Sequence, residues 1–106
     1  MNKIIKLSEQ IEVFKSIIPF EVSIGDKLMS VIFISSDEKI HYSLICKNND
    51  NFSRLEKVLY DKYPEYKETE NYFIVNGKKI NRFKTLEENN IKNNSVITLR
   101  QSENNI

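Results

Sequence analysis

The chain has 106 residues, 40% of them hydrophobic, and a formal net charge of +1. That suits one domain with a sufficient core, and offers no global field that would draw it to nucleic acid or an acidic membrane. A single cysteine, Cys46, excludes an internal disulfide framework, and no apolar run approaches the length of a membrane span. The opening residues, Met1 to Lys6, lack the long apolar stretch and cleavage site of a signal peptide. A reduced compartment, cytoplasmic or nuclear, is the expectation.

In chain order, the first periodic segment runs from Ser8 to Ile18. Ser8 can cap it, Glu9 and Glu12 suit the positive end, and Ile11, Phe14 and Ile18 recur at helical spacing. Pro19 stops it. After an extended connector, Gly25 and Asp26 mark a turn. Residues 30–34 and 40–46 are rich in β-branched and aromatic side chains, with a polar turn between them. Folding this hairpin about Glu38 sets Ile32 opposite Leu44 and Ile34 opposite Tyr42, so those four are the expected buried face and Val31 and Phe33 the outer one.

A helix follows, with Phe52, Leu55, Val58, Leu59 and Tyr63 on its apolar side and Arg54, Glu56, Lys57, Asp61 and Lys62 on the other. Asn51 can cap it, or Ser53 with Glu56 as a capping box, and Tyr63-Pro64 ends it. Tyr72 to Val75 then leads into Asn76-Gly77, the strongest two-residue hairpin signal, with a short return through Lys78 to Ile80. Thr85 to Ile91 reads as a capped helical turn in which Thr85 bonds back to Glu88 while Leu86 and Ile91 anchor it. The last strand runs from Ser95 to Arg100, with Ile97 and Leu99 on one face. One helix packed on one face of a mixed sheet is a two-layer α+β architecture.

The motifs around Asn76-Gly77 and Thr85–Ile91 carry a family resemblance. From Tyr72 to Arg100 the chain resembles ubiquitin without a gap, through the Gly-Lys turn, the Thr-Leu-acidic turn with its Asn-Ile pair, and the Ser-started last strand. From about Leu28 it follows the same family's hairpin-then-helix order, whereas residues 1–27 have no counterpart there. The resemblance implies a ubiquitin-like β-grasp roll, a mixed four- to five-stranded sheet packed on one helix, here with an extra N-terminal helix. The chain then divides into an N-terminal helix and connector (1–27), the ubiquitin-like domain (28–102) and a polar tail (103–106).

The resemblance also implies where a partner would bind. Ile74 falls on the central isoleucine of the apolar patch through which ubiquitin meets its receptors, and Gly77 and Lys78 match the adjoining turn. Thr98 stands at the patch's histidine, Arg100 at its valine, and polar residues at its hairpin-tip leucine. With Tyr72 added as an aromatic neighbour, the candidate interface is Tyr72, Ile74, Gly77, Lys78, Thr98 and Arg100. A charge at Arg100 is costly to desolvate unpaired, so the expected partner is a protein with an acidic residue opposite it, rather than an ordinary ubiquitin receptor.

Conjugated family members end in Gly-Gly, whereas Asn105 and Ile106 stand at the matching positions. The expectation is therefore a non-conjugated, monomeric interaction module with a protein partner, without nucleic acid or membrane. A free-standing protein modifier is the alternative.

Other clusters favour bland readings. Cys46 is expected to be a structural cysteine, Ser35, Ser36, Asp37 and His41 a polar turn, and Glu65, Glu68 and Glu70 a solvated loop. With only Gly25 and Gly77 there is no phosphate-binding glycine loop. No enzyme activity, metal or cofactor is expected.

Overall fold

The computed structural model describes residues 26–102. The expected helix at 8–18, most of the connector and the tail at 103–106 lie outside the described residues. The first strand, β1 (Leu28–Ser35), and the second, β2 (His41–Lys47), form an antiparallel hairpin. Helix α1 (Phe52–Lys62) follows and ends at the Tyr63-Pro64 boundary. A 3₁₀ turn over Pro64–Glu68 leads to β3 (Asn71–Val75), then the two-residue β4 (Lys78–Lys79) and finally β5 (Ser95–Gln101). The sheet order is β2-β1-β5-β3-β4, with β5 parallel to β1 and antiparallel to β3. No helix of the described residues is long and apolar enough to cross a membrane.

The first hairpin corrects the expected register by one residue. Ile34 pairs with His41 and Phe33 with Tyr42, while Val31 faces Leu44. Because strand side chains alternate, that slip turns β1 over: Met29, Val31 and Phe33 point to the interior and Ile32 and Ile34 point away. The turn between the strands explains the slip. Ser35 Oγ donates to Asp37 Oδ1 at 2.5 Å and accepts the Ile40 amide at 2.9 Å, and Glu38 takes up a φ of 64°. The turn is therefore not centred on Glu38, and buried Ile40 stands outside the ladder.

Helix α1 lies over the inner face. Phe52 meets Phe73 edge-on at 5.0 Å between centroids, and Phe33 meets Phe73 at 5.9 Å. Leu55, Leu59, Leu86, Ile97, Leu99 and Cys46 complete a core of nearly inaccessible side chains. Each such side chain contributes about 1.5–3 kcal/mol by leaving water, so this one layer dominates stability.

The start of α1 is capped by a distant loop rather than by its own side chains. Asn51 stands at the capping position without a side-chain bond, and the Phe52 and Ser53 amides donate to the Lys84 and Arg82 carbonyls at 3.0 Å. Glu56 is also not on the solvent side as expected. It is 8% exposed, and both its oxygens accept from Arg82 at 2.8 Å, while the Tyr60 hydroxyl donates to Oε2 at 2.7 Å. Arg82 also donates to the Asn71 carbonyl, and Asn71 Nδ2 donates to the Tyr60 hydroxyl and the Tyr66 carbonyl. This network ties α1, the 3₁₀ turn, β3 and the chain between β4 and β5 into one unit. Burial first, and then Glu56, push the Tyr60 phenol well above its ordinary pKa, so it remains a donor.

The second hairpin and the following turn form as expected. Asn76 and Gly77 adopt φ of 51° and 78°, the mirror-image turn that suits the twist of paired strands. Thr85 and Glu88 exchange backbone-to-side-chain bonds of 2.9 and 3.0 Å, and Leu86 and Ile91 are buried beneath.

Candidate protein-binding face

The sheet has one face against α1 and one turned away from it, and strand register decides which residues share the outer one. Tyr72 pairs with Arg100 and Ile74 with Thr98 across β3 and β5. Residues directly opposite in an antiparallel pair project from the same face. Asn71, Phe73 and Val75 are buried, so Tyr72 and Ile74 project outward, half-buried, with Thr98 half-buried and Arg100 exposed beside them. The structure thus brings together four of the six residues expected at a binding surface. Tyr72, Arg100, Ser36 and Gln101 line a shallow depression at one end of it.

The other two sit differently. Gly77 is exposed in the turn beyond Ile74, and Lys78 pairs with Val75 and so projects from the opposite side of the sheet. The outward cation is Lys79, which pairs with Ile74 and carries its Nζ 5.2 Å from the Tyr72 ring centroid. Counting outward from the two-residue Asn76-Gly77 turn identifies this residue: the turn forces 75 opposite 78 and 74 opposite 79. The surface is consequently an apolar pair, Tyr72 and Ile74, flanked by the cations Lys79 and Arg100. No acidic side chain occupies an outward position on β3, β4 or β5.

Chemically reactive arrangements are not assembled elsewhere among the described residues. Cys46 is fully buried on the inner face, and burial first, then the Asp50 carboxylate, push its thiol up to about 12. Ser35 directs its hydroxyl to Asp37, whereas His41 is exposed on the outer face across the sheet. Asp37 accepts from Ser35, from the Tyr66 hydroxyl at 2.8 Å and from the Lys39 amide, and these bonds lower its carboxyl to about 2. That carboxylate joins the hairpin tip to the 3₁₀ turn. No group of three or more His, Cys, Asp or Glu side chains among the described residues could hold a metal ion. Phe83 is 80% exposed beside the start of α1, and one isolated aromatic says little by itself.

The sequence matches no protein-family model, and no curated protein matches it. Among solved structures it is similar to a de novo design based on ubiquitin, with a TM-score of 0.63 and 18% identity, over 74% of this chain and 93% of that one. That likeness shows a ubiquitin-like fold, and at this identity it speaks to the fold alone.

Proposed function

We propose that this chain is a non-conjugated ubiquitin-like module that binds another protein through the outer end of its sheet, rather than an enzyme. One observation carries the reading: Tyr72, Ile74, Thr98 and Arg100 lie side by side, in register, on a face the core does not use. An aromatic and an isoleucine supply area that can be desolvated, and Lys79 and Arg100 set the charge a partner must match. The partner is a protein segment offering an apolar contact to Ile74 and a carboxylate opposite Arg100. A contact of ~800 Å² per side is ordinary for such recognition. Cytosol or nucleus is the compartment proposed for it.

Affinity capture from lysate tests the reading. Wild type and the double variant Ile74→Ala/Arg100→Glu are compared, with circular dichroism confirming that both are folded. A protein retained by wild type and lost by the variant supports the proposed face, and undiminished capture by the variant discards it.

A further inference from the structure

The two edges of the sheet are finished differently, whatever the role of Tyr72 and Ile74. At one edge β4 is only Lys78 and Lys79, and the chain after it closes over β3. The Ile80 amide donates to the Phe73 carbonyl at 2.8 Å, and Arg82 donates to the Asn71 carbonyl at 3.0 Å. The β2 edge has no such cover among the described residues. β2 stands last in the strand order, and it pairs with β1 without a bulge. It contains no proline and carries a lysine only at its end, so it lacks the usual devices that blunt an open edge.

Register decides which backbone groups that edge presents. The Asn48 amide donates to the Lys27 carbonyl at 3.1 Å, just beyond the pairing of Lys47 with Leu28. Bonded and non-bonded pairs alternate along an antiparallel ladder, so Tyr42, Leu44 and Cys46 turn their amides and carbonyls to β1. His41, Ser43, Ile45 and Lys47 turn theirs outward. Lys47 bears out the parity: its amide donates to Asp50 Oδ2 at 2.8 Å, and its carbonyl accepts from the Asp50 amide at 3.0 Å. That turn closes one end of the edge. His41, Ser43 and Ile45 are left as its open part, with His41 and Ser43 exposed.

A second copy of the same strand fits this template. The two-fold antiparallel register that uses all three open residues sets Ser43 opposite Ser43 of the second copy, and His41 opposite its Ile45. The intervening positions then place Tyr42 opposite Leu44 on the inner side, an aromatic–aliphatic pair, and no like charges stand opposite each other within the pairing. An incoming β2 is already extended and held by β1. It therefore binds without the ordering cost that a flexible peptide would carry.

We propose that two copies of this chain pair antiparallel along β2, centred on Ser43, to make one continuous ten-stranded sheet. The dimer replaces the monomer expected from the sequence, and a pairing this short makes it weak and concentration-dependent. The two-fold axis is perpendicular to the sheet, so both α1 helices lie on one side and both Tyr72–Arg100 faces on the other. Strand order puts the two β3 strands seven spacings apart, roughly 34 Å. On the reading of that face proposed above, the dimer points two binding surfaces in one direction and gains avidity for a partner with repeated segments.

Sedimentation equilibrium of the full chain over a range of concentrations, at low ionic strength, tests the pairing. Wild type is expected to pass from monomer to dimer. Ser43→Lys and Ser43→Glu each bring like charges together across the axis and are expected to stay monomeric, with circular dichroism unchanged. An equimolar mixture of the two regains the dimer, because opposite charges then meet. Ile74→Ala/Arg100→Glu dimerises as wild type does, which separates this contact from the binding face. A wild type that is monomeric throughout overturns the proposal. So does a dimer that survives Ser43→Lys, a mixture that stays monomeric, or a dimer lost in Ile74→Ala/Arg100→Glu.

Discussion

Replacing Arg82 by methionine removes the guanidinium while keeping much of its apolar stem. Glu56 would remain, with a side chain only 11% exposed, its two 2.8 Å bonds gone and one hydroxyl bond from Tyr60 left. Stranding one member of a fully buried ion pair costs about 3–5 kcal/mol, and a surface pair is worth about 0–1. Arg82 is 39% exposed, so water compensates part of the loss, but the bond to the Asn71 carbonyl goes as well, at roughly 1 kcal/mol. The expected destabilisation is about 2–3 kcal/mol, or a melting point lower by roughly 10–20 °C for a domain of this size.

Urea unfolding with an unchanged slope measures it. Lys67→Met is the control, because the Lys67–Asp61 pair spans 3.7 Å with both partners more than half exposed, and it should shift stability by under about 0.5 kcal/mol. The double variant Glu56→Leu/Arg82→Met should recover much of the loss, since no buried charge is left behind. Equal costs for Arg82→Met and Lys67→Met would refute the assignment of Glu56 and Arg82 as the lock between helix and sheet.

Three further outcomes follow from the geometry. Phe33→Ala should cost about 3–5 kcal/mol and Ile34→Ala under about 1.5, because only Phe33 is inaccessible; the reverse order in denaturant melts would favour the register expected from sequence, with Ile34 opposite Tyr42. Asp37 has its carboxyl lowered from 3.8 to about 2, so its stabilisation is present above pH 3.8 and is lost as pH falls through about 2. The stability gap between wild type and Asp37→Asn should therefore close between pH 5 and pH 2, and a gap constant over that range argues against the Ser35–Asp37–Tyr66 contacts. Cys46 should resist iodoacetamide at pH 8 in the native protein and react once unfolded, as intact mass would show; rapid native labelling would mean the thiol is not in the core.

Local chemistry made the second half of the chain legible. Asn76-Gly77 names its own turn type, Thr85 and Glu88 sit at the spacing of a reciprocal cap, and Ile97 and Leu99 alternate with Thr98 and Arg100. The first hairpin resisted because β1 is apolar at successive positions, Val31 to Ile34, so alternation holds no information about which face is buried. Its parity is set instead by Ser35 and Glu38 in the turn. Glu56 was misplaced for a different reason: its partner Arg82 lies 26 residues away, and helical periodicity sees only neighbours. For the candidate face, Ile74, Thr98 and Arg100 came from the family resemblance and Tyr72 from its aromatic character beside Ile74; the register across β3 and β5 sets these four side by side, and Lys79 was within reach of counting outward from the Asn76-Gly77 turn.

The central claim concerns where a partner meets the sheet. Titrating isotope-labelled chain with a captured partner, and following every backbone amide, tests it most directly. Shifts concentrated at residues 72–74, 79 and 98–100 are predicted. Shifts confined to α1 and the 3₁₀ turn, with β3 and β5 unmoved, would contradict it.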